Sequence, residues 1–347
     1  MRRSSSTSNS EPLRRVLRPT ALFLALLLAV TLAAGALMRA LRPYEEQSWR
    51  VQDDMVSEFF ATEKNTVNCL LIGNSHMMCG VDPDALDAAV PGMRCYNLAA
   101  SSQLPDTTFH LLREALRRQT PTLVVMDLYH LFLATDHDDA QSSLILKPMP
   151  FCAERVSMFF DLYTPEEQGR LIRTWFDPFP RMKNLLVYRW RLARGTAVPA
   201  VNDTGTYIGR GYFSLGDRQV DVAGMVAQYT ADPEQYDGLS EVQKGYVRRI
   251  AALCEEAGTR LLFVSAPMAP TYLTLCPFYD AAARDVAELA RDCRTDYYDF
   301  SAPAYYEAMG LTDADFADRT HMNLSGAEKY SRFLGAFLQQ NGYYPLE

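Results

Sequence analysis

Two short motifs carry the residue types that nucleophilic catalysis needs. Gly73-Asn74-Ser75-His76 sets a serine two residues after a glycine, directly behind a short apolar run. Glycine lets the chain turn sharply, which presents the serine at the end of that run. A serine hydroxyl attacks an acyl carbon only if a base takes its proton. Asp318-Arg319-Thr320-His321 supplies that base. An Asp three residues before a His in one loop can hold one imidazole nitrogen and leave the other facing outward. Alone, Gly-x-Ser after a strand is a turn more often than a nucleophile, and D-x-x-H is usually a solvated loop. Their joint placement, in the first strand and last loop of one alternating pattern, points to Ser75 as nucleophile, His321 as base and Asp318 as orienter.

Other residues have weaker claims. His76 follows the serine and could line its pocket, although solvent or backbone contact is the commoner role. His130, Asp136, His137, Asp138 and Asp139 look metal-like in composition. They show no regular ligand spacing, so an acidic solvated loop is expected, with no metal and no cofactor. His110 reads as a packing or surface residue. Tyr207, Arg210 and Tyr212 could bind sugar or phosphate, and aromatic packing explains them equally well. The seven cysteines contain no C-x-x-C and no Cys/His ligand spacing, and an odd count leaves at least one free thiol.

The elements that must position the two motifs alternate. Val67–Ile72, Met93–Leu98, Leu123–Leu128, Arg260–Ser265 and Asp296–Phe300 read as strands. Between them, helices are expected from Asp82-Pro83, over Asp106–Gln119, Leu239–Glu256 and Phe278–Asp292, and last over Ser325–Gln340. Ser325-Gly326-Ala327-Glu328 has the form of a capping box for that last helix. Strands alternating with helices imply an α/β fold with a parallel sheet covered on both faces. In such sheets function gathers at the carboxyl ends of the strands, where both motifs lie. The pattern fails over about 134–238, which holds Trp175, Trp190, many tyrosines and several prolines. That stretch reads as an insertion of short helices with little clear strand.

Composition narrows the class. The chain has 347 residues, 48% of them hydrophobic, and a net charge of −8. That apolar fraction excludes intrinsic disorder. Only Thr20–Met38 is long and apolar enough to span a bilayer, which excludes a polytopic membrane protein. The first 43 residues hold seven arginines and one acid, a charge of +6, and the remainder carries −14. So acidic a body has no general attraction for nucleic acid. Five arginines precede the apolar stretch and two follow it, so the positive-inside rule puts the N-terminus in the cytoplasm. The expected organisation is a cytoplasmic tail over 1–19, a single-pass signal anchor over 20–38, and an extracytoplasmic domain over 44–347. Ala34-Gly35-Ala36 resembles a signal-peptidase site, and a cleaved signal would export the same domain.

The blocks around both motifs resemble those of the SGNH/GDSL hydrolases over most of residues 65–345. The similarity is greatest to the membrane-anchored branch that includes the teichoic-acid D-alanylation protein DltD and the alginate-acetylation proteins. LLIGNSHMMCGVDP resembles the block of the nucleophile, YNLAASSQ the second block and ADRTHMNLSGAEKYSRFL the last. The resemblance implies a flavodoxin-like three-layer fold and acyl-ester hydrolysis or O-acyl transfer by Ser75, His321 and Asp318. It implies a cell-envelope polysaccharide or teichoic acid as acceptor, and an MBOAT-type membrane acyltransferase as a possible donor. Two positions depart from the family. Ala99-Ala100-Ser101-Ser102 stands where hydrolytic members have a glycine that donates to the oxyanion. Asp127 stands where they have an asparagine. The expected oxyanion donors are then the N–H of Ser75 and one N–H from Ala100, Ser101 or Ser102. The competing expectation, favoured by both departures, is a catalytically weak or inactive binding or scaffold subunit of an envelope-modification complex.

Overall fold

The computed structural model describes residues 11–41, 47–176, 179–196, 205–232 and 234–344. The strands are β1 (Cys69–Ile72), β2 (Cys95–Asn97), β3 (Leu123–Asp127), β4 (Thr206–Gly209), β5 (Tyr212–Ser214), β6 (Arg260–Ser265) and β7 (Asp296–Asp299). Five of them form one parallel sheet in the order β2-β1-β3-β6-β7. Numbered within the sheet, that is the flavodoxin-like order 2-1-3-4-5, whose direction reverses between β1 and β3.

Successive side chains of a strand point to opposite faces, and the three central strands are apolar on both. Cys69, Leu71, Val125, Leu262 and Val264 enter one buried cluster, together with Leu86, Tyr330, Leu334 and Leu338. Those partners come from helices Pro83–Ala89 and Leu324–Gln340. Leu70, Ile72, Val124, Met126 and Phe263 enter a second cluster with Met55, Phe59, Leu112, Ala115, Val247, Ile250 and Val286. Helices Gln47–Ala61, Pro105–Arg118, Glu241–Glu256 and Tyr279–Asp292 supply them. Three layers follow directly, because neither face of the sheet could be left in water. Full burial of each such Leu or Ile contributes about 1.5–3 kcal/mol over leaving it exposed.

The stretch expected to be irregular contains helices and one antiparallel hairpin, β4–β5. The hairpin turn, Arg210-Gly211, docks on the edge strand: the Asn97 N–H donates to the Arg210 carbonyl at 2.9 Å. A Cβ on Gly211 would fall 1.6 Å from the Asn97 carbonyl oxygen, so only glycine permits this approach. The last helix begins one residue earlier than expected, and its cap differs. Asn323 accepts from the Gly326 N–H at 3.1 Å, while the Ser325 hydroxyl turns away to Asp315.

By contact, residues 11–41 and 179–196 belong to one unit, and the remaining described residues to another. In the first, helix Glu11–Leu41 includes Pro19–Met38, which is long and apolar enough to cross a membrane. Helix Phe179–Ala193 lies against it. All seven cysteines are free thiols, five of them buried.

Candidate active site

β1 ends at Ile72, and Gly73 turns the chain at φ +135°. A side chain there would press on Asp127, whose Cβ would lie 2.9 Å away. Asn74 caps the short helix Ser75–Gly80 by accepting from the His76 N–H at 2.8 Å. Ser75 is therefore the first residue of a helix. Its N–H is one of the donors that have no partner within the helix.

The second motif lies in a tight loop before the last helix. The Ala317 N–H donates to the His321 carbonyl at 2.8 Å, and Phe316 bridges Met322 across the loop. Asp318 Oδ1 accepts from the N–H groups of Thr320 and His321, each at 2.9 Å. His321 Nδ1 lies 3.0 and 2.9 Å from the two Asp318 oxygens, and His321 Nε2 lies 2.7 Å from Ser75 Oγ. The structure thus brings Ser75, His321 and Asp318 into one continuous hydrogen-bonded chain. Partial burial works against a charged Asp318. The hydrogen bonds from His321 and from two backbone N–H groups outweigh it and hold the carboxyl well below its usual range.

The expected flanking residues separate into different roles. His76 is buried. Its ring packs 4.1 Å from that of Tyr129 and meets His321 edge-on at 5.2 Å. Burial first, and the neighbouring His321 second, push its pKa well down, so it sits there as a neutral ring. Asp127 is buried and bonded to the cap of the serine's helix. Its Oδ2 accepts from Asn74 Nδ2 at 3.0 Å and its Oδ1 from the Ala266 N–H at 2.8 Å. Burial raises its pKa to about 7, against the opposing pull of those two donors. Asp127 thus ties the nucleophile's loop to the loop after β6. Ala100 is not a free donor, because its N–H reaches the Gly73 carbonyl at 3.4 Å. Ser101 and Ser102 follow, the latter at φ +52°, and the N–H of Ser101 has no partner among the described residues.

Ser75, Ser101, Asp318 and His321 share a cavity of about 250 Å³ with Met78, Cys79, Phe213, Leu215 and Arg218. Three of the lining residues, Phe213, Leu215 and Arg218, come from the insertion. Its backbone is bound to the His321 loop: the Val220 N–H donates to the Phe316 carbonyl and the Leu324 N–H to the Gly216 carbonyl, both at 2.8 Å. Arg218 is exposed and has no side-chain partner among the described residues, although its carbonyl accepts from Asn323 Nδ2. These insertion residues carry no motif, which is why sequence reasoning missed them.

The remaining candidates are occupied elsewhere. Arg210 pairs with Asp84 and Asp87 and donates to the Cys95 carbonyl. Tyr207 donates to Glu58, and Tyr212 is buried. Packing, not ligand binding, accounts for all three. His110 is buried with its Nδ1 2.6 Å from Glu154. His130 sits among Tyr129, Tyr236, Phe278 and Tyr279, where burial lowers its pKa to about 4. His137 lies 2.7 Å from Asp106, Asp136 accepts from Ser240, Asp138 caps a helix and Asp139 pairs with Arg170. The five are thus spread over separate structural contacts.

The fold and site together define a flavodoxin-like α/β domain with a Ser–His–Asp chain at the carboxyl ends of its strands. No family model matches the chain, and no curated protein matches it. Solved structures similar to it include a catalytic mutant of an acetylxylan esterase from Geobacillus stearothermophilus. That protein is 13% identical with a TM-score of 0.38, the match covering 80% of this chain and 95% of the other. A putative GDSL-like lipase from Parabacteroides merdae is 12% identical at a TM-score of 0.38, covering 81% and 98%. A GDSL-like lipase from Bacteroides thetaiotaomicron is 10% identical at a TM-score of 0.38, covering 84% and 99%. At such identities and scores, those proteins' activities say nothing about this chain's.

Proposed function

We propose that the protein is an SGNH-type acyl-ester hydrolase or O-acyltransferase, anchored in the membrane by its N-terminal helix. One observation carries the reading: Ser75 Oγ, both His321 nitrogens and the Asp318 carboxylate are linked at 2.7–3.0 Å. Ser75 Oγ attacks the acyl carbon while His321 Nε2 takes its proton. Asp318 holds the imidazole by Nδ1 and balances the charge it gains. The N–H groups of Ser75 and Ser101, two residues that line the cavity, would be the oxyanion donors. His321 then protonates the departing alkoxide, which leaves as an alcohol, and the acyl group stays on Ser75. In the second half, water or an acceptor hydroxyl loses its proton to His321 and attacks the acyl-serine; the bond to Ser75 Oγ breaks, His321 Nε2 returns the proton to Ser75 Oγ, and acid or new ester is released.

The substrate side of the proposal is an envelope glycan or teichoic acid acting outside the cell. Arg218, with no side-chain partner among the described residues, is the cation at the cavity that an anionic acceptor of that kind would meet. An MBOAT-type membrane protein would suit the role of acyl donor, since a membrane anchor would keep this chain on the same membrane as such a partner. The missing side-chain donor at Asp127 favours a second reading, a scaffold subunit with no turnover. Both are tested on full-length protein with a fluorophosphonate probe and p-nitrophenyl acetate. The enzyme reading expects an adduct on Ser75 and a loss of roughly 10³-fold or more in hydrolysis by Ser75→Ala. Equal rates for the variant and the wild type would sink the assignment of Ser75. A folded protein with no adduct and no hydrolysis would select the scaffold.

A further inference from the structure

The insertion contains a segment that acyl-ester chemistry does not use. Residues 179–196 hold five cations and no acid, in a chain whose net charge is −8. Their helix, Phe179–Ala193, has two distinct faces. Met182, Leu185 and Leu192 are half-buried and recur at helical spacing, and the helix lies against Glu11–Leu41. On the other side Leu186, Val187 and Trp190 are 40%, 41% and 53% exposed. The Arg194 guanidinium lies 4.3 Å over the Trp190 ring, and Lys183 and Arg191 are exposed alongside.

Exposed Trp, Leu and Val cost free energy in water, since each leaves apolar area hydrated. A helix with an apolar stripe bordered by arginines suits the boundary between lipid headgroups and acyl chains. There the stripe leaves water and the cations meet phosphate. The neighbouring helix supports the same placement. It is exposed over Leu22–Leu32 and half-buried at Ala34, Gly35, Leu37 and Met38, so it is apolar outward over the length of a bilayer. We infer that helix Phe179–Ala193 is an interfacial helix whose Leu186–Trp190 face lies on an anionic phospholipid bilayer. The inference goes beyond the esterase reading and shares with it only the membrane-spanning role of the first helix. It stands or falls independently of Ser75.

The test uses the full-length chain carrying Trp49→Phe and Trp175→Phe, so that Trp190 is the sole tryptophan. The protein is reconstituted into phosphatidylcholine vesicles with or without phosphatidylglycerol, containing lipid brominated in the upper acyl chain. Flotation with the vesicles and an unchanged circular dichroism spectrum show that the variant has folded and inserted. The expected result is at least about twofold quenching of Trp190 in the anionic vesicles, less in neutral ones, and less again in high salt. Adding Arg191→Glu and Arg194→Glu should remove most of that difference. Quenching by aqueous iodide but not by bromolipid would place the face in water and overturn the inference. Protection from both quenchers would mean a protein partner covers it, and would overturn it equally. Equal quenching in neutral and anionic vesicles would refute the anionic selectivity.

Discussion

Asp318 has a single task in the triad, which is to hold His321 by Nδ1 with Nε2 turned to Ser75. Asp318→Asn keeps the shape and removes the charge, so the imidazole can settle in the wrong tautomer. Hydrolysis of p-nitrophenyl acetate by that variant should fall roughly 10²–10⁴-fold at temperatures where it is fully folded. Asp127 behaves in the opposite sense. Its pKa is raised to about 7 by burial, from about 4 in an unfolded chain. Between those two values the folded state holds a proton that the unfolded state has lost. Stability contributed at this residue therefore declines as pH rises from about 4 to about 7, by an amount on the order of a few kcal/mol. Urea denaturation at pH 4.5 and 7.5 should show a smaller loss for Asp127→Asn than for wild type. Equal losses would mean that Asp127 does not titrate in that window. Both carboxylates were visible in the sequence, but their environments were not. Nothing local to residue 127 announces a bond to Ala266, whereas the partner of Asp318 is three residues away.

At the scale of elements, the strands were legible because continuous apolar runs ended by turn residues leave few alternatives. β6 occupies the span expected for it, and the other four strands of the sheet are one to three residues shorter. Helix Gln47–Ala61 was missed, although Val51, Met55, Val56 and Phe59 follow a helical period. Charged residues between them hid the stripe. The β4–β5 hairpin was also missed, because its glycine is explained only by Asn97, more than a hundred residues earlier. The last helix has its cap two residues before the Ser325 motif, and the serine is recruited by Asp315 instead. The turn at Gly73 carries the sharpest prediction at this scale. Gly73→Ala combines φ +135° with a Cβ pressed against Asp127. It should destabilise the domain by about 1–3 kcal/mol, measured by chemical denaturation. It should also lower esterase activity at temperatures where the variant is fully folded, because Ser75 is two residues away.

For the whole molecule, the charge split has more structure than two halves. The basic segments are the N-terminal stretch and residues 179–196, and the described parts of both lie in one unit with the membrane-length helix. The acidic surface belongs to the rest of the chain. Composition alone could not show this, since the second basic segment sits in the middle of the sequence and only folding sets it beside the first. One further consequence concerns time. Ser75 and its base are separated by 246 positions along the chain. A ribosome delivers the serine long before the histidine, so the sheet can begin to assemble around a nucleophile that has nothing to activate it. Competence arrives only when the final helix docks and sets the His321 loop. Refolding followed by activity should therefore lag refolding followed by burial of the central strands, and a chain truncated before residue 316 should be chemically silent however well its sheet forms.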